Sequence, residues 1–196
     1  QYDFDSASCL ALIRKAGLEG EIKLNIEVNH ATLSGHNFEH EIAYAIANNA
    51  LGSIDINRGD TLLGWDTDQF PNNPLELLMP FYHIFSNGGF KQGGLNFDAK
   101  IRRQSIDPED LFYAHIGGMD VAARSLIAVE KMINDKELST YIQNRYKKWD
   151  QALGKFIHSQ EGNLETIANK VISENIEPKP QSGQQEYLEN ILNKYL

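Results

Sequence analysis

The sequence predicts an α/β fold: parallel strands joined by crossover helices, followed by a purely helical arm. Three observations carry this. Short polar/apolar alternations recur between stretches of helical periodicity up to about residue 134. Beyond that point the periodicity is helical, with no strand-like run between the helices. Each strand-like run also has one apolar face, suited to covering helices, and one polar face. The reading is half of a barrel or half of an open sheet over 1–134, then a helical arm over 135–196.

DSASCLALIRKAG (5–17) reads as a helix, with Asp5 or Ser6 as N-cap and Gly17 as its stop. EIKLNIEVN (21–29) alternates with period two and is the first strand. NFEHEIAYAIANNA (37–50) returns to helical spacing, and LGSIDIN (51–57) is the second strand. GWDTDQFP (64–71) is read as a loop between Gly64 and Pro71. NPLELLMPFYHIFSNGG (73–89) is helical, and Pro80 inside it must kink the helix or cost a backbone hydrogen bond. GGLNFDAK (93–100) is the third strand. The long helix 107–133 starts at Asp107; Pro108 suits its first turn, and Glu109 and Asp110 suit its positive end. In the arm, 137–157, 163–175 and 183–196 are helical, with NIEPKPQSG (175–183) as a linker. The last helix places Leu188, Ile191, Leu192 and Tyr195 on one face.

At 196 residues, 41% hydrophobic and 23% charged, the chain has the composition of one globular domain or a large part of one. Its net charge of −9 leaves no basic footprint for nucleic-acid phosphates or an anionic membrane surface, while local acidic clusters suit cations. Cys9 is the single cysteine, which fits a reducing, cytoplasmic setting, and no apolar run reaches the length of a membrane span. The start QYDFDSAS has neither an initiator Met nor a signal pattern, so a processed chain or a piece of a longer one is expected.

The polar strand faces carry the chemistry. Lys23, Asn25 and Glu27 oppose Leu24, Ile26 and Val28. Ser53, Asp55 and Asn57 oppose Ile54 and Ile56, and Asn96, Asp98 and Lys100 oppose Phe97 and Ala99. Each polar face thus has an acid near the strand's C-terminal end, where parallel α/β folds build their sites. Glu27, Asp55 and Asp98 are expected to converge there, joined by His30 from the next loop and by Asp66 and Asp68. Five carboxylates around one imidazole cannot all ionise without a partner, and one or two divalent cations supply it. Such oxygen-rich ligands favour Mg²⁺ or Mn²⁺, and the histidine leans toward Mn²⁺ or Co²⁺; a thiolate zinc site lacks its cysteines.

KLNIEVNHATLSGHNFEHE, GSIDINRGDTLLGWDTDQFP, GGLNFDAKIRRQS and the tail QSGQQEYLENILNKYL, with the spacings between them, resemble the longer-subunit class of xylose isomerase over essentially the whole chain. The resemblance implies strands six to eight of a (β/α)₈ TIM barrel and a C-terminal arm that wraps a neighbour in a homotetramer. It implies two divalent metals, Mg²⁺ or alternatively Mn²⁺ or Co²⁺. Glu27 resembles the carboxylate shared by both metals. Asp55 and Asp98 resemble further ligands of the structural metal, and His30, Asp66 and Asp68 those of the catalytic metal. Asp68 also resembles the residue holding the water that shuttles the hydroxyl proton. The implied reaction converts D-xylose to D-xylulose, or D-glucose to D-fructose, by ring opening and a hydride shift from C2 to C1. The family's ring-opening His/Asp pair, its first metal-binding glutamate, its substrate-contacting lysine and its aromatic pocket walls have no counterpart here. The chain therefore resembles about the last 45% of such a subunit and is expected to be inactive alone.

Other signals are weaker. Glu177 in IEPKPQ echoes a metal motif, but its place before QSGQQE puts it in the tail. HNFEH (36–40) has an inverted zinc-peptidase spacing, yet reads as the start of an outer helix. GGFKQGGLNF lacks the Lys-Ser/Thr of a P-loop. Trp65 and Trp149 read as packing residues, with Tyr146 and Trp149 helping the arm grip its partner. Lys100 reads as a partner of the acids or a simple charge offset, and Arg58, Asp60, Arg102 and Arg103 as structural ion partners. The competing readings are another metal-dependent barrel enzyme, such as a phosphodiester hydrolase, which wants more histidines, and a non-catalytic assembly piece.

Overall fold

Asp5 begins the first helix: its Oδ1 accepts the Ser8 N–H at 2.7 Å and caps α1 (Ser6–Lys15). The computed structural model describes residues 3–160, 162–177 and 179–196. Gln1, at the start of the chain, and Pro178, in the expected 175–183 linker, lie outside the described residues.

β1 (Leu24–Glu27) passes straight into α2 (Val28–Leu33), so the expected strand over 21–29 is shorter at both ends and Val28 is helical. α3 (Phe38–Ala47) starts at Asn37, whose Oδ1 accepts the His40 N–H at 2.7 Å. β2 (Leu51–Asp55) follows, then an antiparallel hairpin of β3 (Arg58–Asp60) and β4 (Trp65–Gln69). α4 (Pro74–Ser86) has Asn73 as N-cap and runs through a buried Pro80, which has no N–H to offer the Glu76 carbonyl. β5 is only Leu95–Asn96, and α5 spans Pro108–Asp135. Asp110 Oδ2 accepts the Asp107 N–H at 3.1 Å at the start of α5.

β1, β2 and β5 form a parallel sheet in the order β1-β2-β5. The register pairs Glu27 with Asp55 and Asp55 with Asn96, so the acids of the first two strands sit level at the C-terminal edge. Ile26, Ile54 and Ile56 are buried on the sheet, as are Ile42 and Ala45 of α3 and Leu77, Leu78, Phe81 and Ile84 of α4. Each large apolar side chain buried this way contributes roughly 1.5–3 kcal/mol. α5 buries Val121, Ala122, Ser125, Ala128, Val129 and Met132, and the Ser125 hydroxyl lies 3.0 Å from the Pro74 carbonyl.

Two expectations change here. The 64–71 segment is a strand rather than a loop: Arg58 pairs with Gln69 and Asp60 with Trp65, so β4 advances four residues where β3 advances two and bulges out around Asp66–Asp68. The third strand stops at Asn96 because the next residues are drawn to this hairpin. Phe97 packs on Phe70 with ring centroids 5.4 Å apart, and the Lys100 N–H reaches the Asp68 carbonyl at 2.8 Å.

These elements belong to one compact unit that runs to Ile133 and includes Tyr195 and Leu196. The second unit, Asn134–Lys194, contains α6 (Glu137–Tyr146), a 3-10 turn (Lys147–Asp150), α7 (Ala152–His158), α8 (Leu164–Ser173) and α9 (Gln185–Asn193). Within it Lys194 pairs with Asp135 at 3.2 Å and Glu137 at 3.0 Å, and Asn163 and Thr166 form a capping box on α8. Ile191 is buried in α9, with Leu188 and Leu192 half-buried. No helix among the described residues is long and apolar enough to cross a membrane.

Candidate metal centre

The last residue of β1 is Glu27, 8% exposed, and it is also the N-cap residue of α2. One helical turn carries His30 back over it, with Nε2 3.4 Å from Glu27 Oε2. The bulged β4 brings Asp66 to the same imidazole, its Oδ2 3.2 Å from His30 Nε2. Glu27, His30 and Asp66 each place one ligand-type atom within 4.8 Å of the others, and so do Glu27, Asp55 and Asp98. Glu27 is common to both triads.

Three asparagines hold these carboxylates, a role the sequence did not reveal. Asn57 donates to Glu27 Oε1 at 2.6 Å and to the Asp98 carbonyl at 2.9 Å, and its own Oδ1 accepts the Asn29 N–H at 3.1 Å. Asn29 Nδ2 donates to Asp66 Oδ1. Asn25 Nδ2 donates to Asp55 Oδ2 at 2.5 Å. The only sequence signal was their spacing: Asn25 and Asn57 lie two residues from Glu27 and Asp55, on the same strand faces. Gly59 makes room for this network, since a Cβ there would stand 2.1 Å from Asn29 Oδ1 and 2.7 Å from the Trp65 carbonyl.

Burial raises the Glu27 carboxyl above the ordinary carboxylate range, with the charges of Asp66 and Asp98 adding to it. Asp66 is raised too, by burial and then by the hydrogen bond with and charge of Asp68. Asp68 moves the other way, lowered by its hydrogen bond with Asp66 and then by Lys100. Of the two, Asp68 is therefore the stronger acid. Two oxygen-rich triads short of positive charge, with one imidazole between them, fit hard divalent cations.

Asp68 is brought beside Asp66 but belongs to neither triad among the described residues. It has a left-handed backbone, φ 44°, and its Oδ2 is held by Lys100 Nζ at 2.5 Å. Lys100 is thus a partner of the acids. Arg58 differs from the expectation of an ion partner, while Arg102 meets it only through space, its charge helping to lower Asp68. Arg58 Nε donates to the Phe70 carbonyl at 3.0 Å, and Arg102 to the carbonyls of Thr67, Asp68 and Lys100 at 2.6, 3.1 and 2.9 Å. Asp60 accepts the Leu62 and Leu63 N–H groups at 3.0 Å. Trp65, at the start of β4, is 70% exposed rather than packed, and Trp149, 52% exposed, packs only edge-on against His158 with ring centroids 6.4 Å apart. Glu177 is exposed and joins no metal-type group among the described residues.

HNFEH does form a cluster, though not the one its spacing encodes. Glu39 pairs with His83 at 3.2 Å, while Glu41, outside the motif, joins His36 and His40 with one ligand-type atom each within 4.8 Å.

Parallel strands ending in carboxylates that gather into two groups able to hold a metal ion define an α/β protein with a candidate metal centre. The relatives are specific. The chain is 57% identical over its 196 residues to the xylose isomerase of Histophilus somni strain 2336, covering 100% of this chain and 45% of that protein. It is 54% identical to the xylose isomerase of Mesorhizobium japonicum and 55% to that of Haemophilus influenzae 86-028NP, again over 100% of this chain and 44% and 45% of those proteins. A family model described as XylA2 C-terminal domain matches residues 142–196. Over its whole length the chain corresponds to the C-terminal portion of xylose isomerase, and it spans under half the length of the curated relatives it matches.

Proposed function

We propose that this chain supplies the metal-binding half of a xylose isomerase site, which interconverts D-xylose and D-xylulose, and D-glucose and D-fructose, by a hydride shift. The observation that carries the reading is the pair of triads sharing Glu27. Glu27, Asp55 and Asp98 hold one divalent metal; Glu27, His30 and Asp66, with Asp68, hold the other. The metals are Mg²⁺, with Mn²⁺ and Co²⁺ as substitutes. When bound they polarise the sugar's oxygens as Lewis acids.

The chain's own residues do the positioning and the proton work. Asn57, Asn25 and Asn29 fix the orientation of Glu27, Asp55 and Asp66. Lys100 keeps the Asp68 carboxylate ionised and fixed, so Asp68 would hold the water that carries the substrate hydroxyl proton.

The three parallel strands are read as strands six to eight of a (β/α)₈ barrel. Support comes from the two sheet edges at β1 and β5, and from exposed apolar residues on α5, among them Phe112, Tyr113 and Ile116. Residues 135–196 are read as the assembly arm of a cytoplasmic homotetramer.

The test is a chimera in which this chain replaces the corresponding segment of the Histophilus somni protein. D-xylose conversion with Mg²⁺ or Mn²⁺, abolished by Glu27→Gln, is expected; this chain alone should be inactive. A folded, metal-loaded chimera that converts neither sugar overturns the reading.

A further inference from the structure

Among the described residues, one group of metal-ligating side chains lies outside the strand-end acids, at the start of α3. Glu41 is 2% exposed there, yet carries a full carboxylate. Its Oε2 accepts the Ser6 N–H at 2.6 Å, and its Oε1 lies 2.9 Å from His40 Nδ1 and 3.8 Å from His36 Nδ1. The two imidazoles lie nearly parallel, with centroids 5.6 Å apart and planes 12° from one another. The far nitrogen of His36, Nε2, is 3.1 Å from Asp5 Oδ2.

That last contact sets the chemistry. With Nε2–H donated to Asp5, His36 presents the lone pair of Nδ1 on the side of Glu41. A carboxylate behind an imidazole whose other nitrogen faces further ligands is the usual support of a metal-bound histidine. Tetrahedral ligands about 2.0–2.1 Å from a zinc ion stand roughly 3.3 Å apart. The two observed nitrogen–oxygen separations, 2.9 and 3.8 Å, bracket that value. The N-terminal end of α3 opposes a cation with about half a unit of positive charge, but Glu41 and Asp5 bring two full negative charges. His40 is 58% exposed at its side chain, so an ion has a way in.

We propose that His36, His40 and Glu41 form a divalent-metal site of zinc type, separate from the strand-end acids, with Asp5 orienting His36. Two imidazoles and one carboxylate select Zn²⁺ or Co²⁺ over Mg²⁺. Because Asp5 caps α1 and Glu41 accepts its first N–H, the ion pins α1 to α3.

The test uses Co²⁺ titration of the full chain carrying Glu27→Gln, which removes the residue common to the strand-end triads. One equivalent of Co²⁺ with four-coordinate visible bands, displaced by Zn²⁺ and not by excess Mg²⁺, is expected. His36→Gln or His40→Gln should remove the bands. Asp5→Asn, which keeps a capping oxygen for the Ser8 N–H but removes the carboxylate behind His36, should weaken binding roughly 10–100-fold. Zn²⁺ should raise the urea midpoint of the Glu27→Gln chain but not of the double variant with His40→Gln. With far-UV circular dichroism showing each variant folded, absence of the Co²⁺ bands, or bands indifferent to His36 and His40, overturns the proposal.

Discussion

Two carboxylate–histidine clusters lie within the same folded unit, and their buried acids respond oppositely. At the strand ends, Glu27 and Asp66 are raised, first by burial and then by neighbouring acids. At the start of α3, burial pulls Glu41 up, yet the Ser6 N–H and His40 hold it below its usual range. Asp5 is lowered likewise, chiefly by the Ser8 N–H. What differs is the supply of donors. Glu41 receives a backbone N–H and a hydrogen-bonded imidazole, whereas Glu27 and Asp66 receive side-chain amides and share the one imidazole of His30 while facing other acids. A buried carboxylate short of donors needs a cation for its charge. One rich in donors is stable without a cation, and exchanges an imidazole contact for a metal only when the ion prefers nitrogen.

The sharpest way to break this comparison is Glu27→Gln. The shared carboxylate makes both strand-end equivalents of Mn²⁺ disappear, whereas His30→Gln or Asp98→Asn removes one of them. Mn²⁺ paramagnetic resonance counts free ion directly. Retention of both equivalents by the Glu27→Gln chain would show that the triads are not the binding sites.

Next in size is Glu41→Gln. It weakens buried, charge-assisted bonds to Ser6 and His40, each worth about 1.5–3 kcal/mol, so urea unfolding at neutral pH should show a loss of that order. Because Glu41 and Asp5 are lowered, their stabilisation is present above the ordinary carboxylate range and fades as pH falls through their folded values. The deficit of the variant should therefore shrink in acid.

The metal-free strand-end cluster has the opposite sign. A raised acid stabilises the fold below its ordinary range and loses that contribution as pH rises through the folded value. Glu27→Gln should make the metal-free chain more stable at neutral pH and leave it unchanged in acid. Thermal unfolding in chelator across that range reads the crossover. Equal stability of the two chains at neutral pH would remove the charge shortage from the argument.

How far the sequence foretold this contrast depends on the range of each interaction. Helix starts were legible because Asp5, Asn37, Asn73 and Pro74 act on backbone within three residues of themselves. Strand alternation placed Glu27 and Asp55 on one face, and the observed register sets them side by side. The hairpin escaped because β4 is WDTDQ, with no apolar alternation, and its bulge breaks the period. The anchoring of α1 by Glu41 joins residues 35 apart, and no local pattern announces it. The asparagines escaped for a different reason: amides are common at strand ends and turns, so their type carries little information until their partners are known.

The smallest effect tests the border of the strand-end cluster, where Lys100 holds Asp68. Both groups reach solvent, with Lys100 68% and Asp68 21% exposed at the side chain, so the pair should add no more than about 0.5 kcal/mol to stability. Its influence on the metal is clearer. A unit positive charge about 7 Å from a divalent cation costs roughly 1.2 kcal/mol in a water-like dielectric, so Lys100→Met should tighten Mn²⁺ binding about sevenfold. The same change lets Asp68 rise from its lowered position, and the gain should fade in acid as Asp68 takes up a proton. If affinity falls instead at neutral pH, Lys100 is orienting Asp68 toward the metal rather than competing for it, and the boundary between ligands and counter-ions moves outward by one residue.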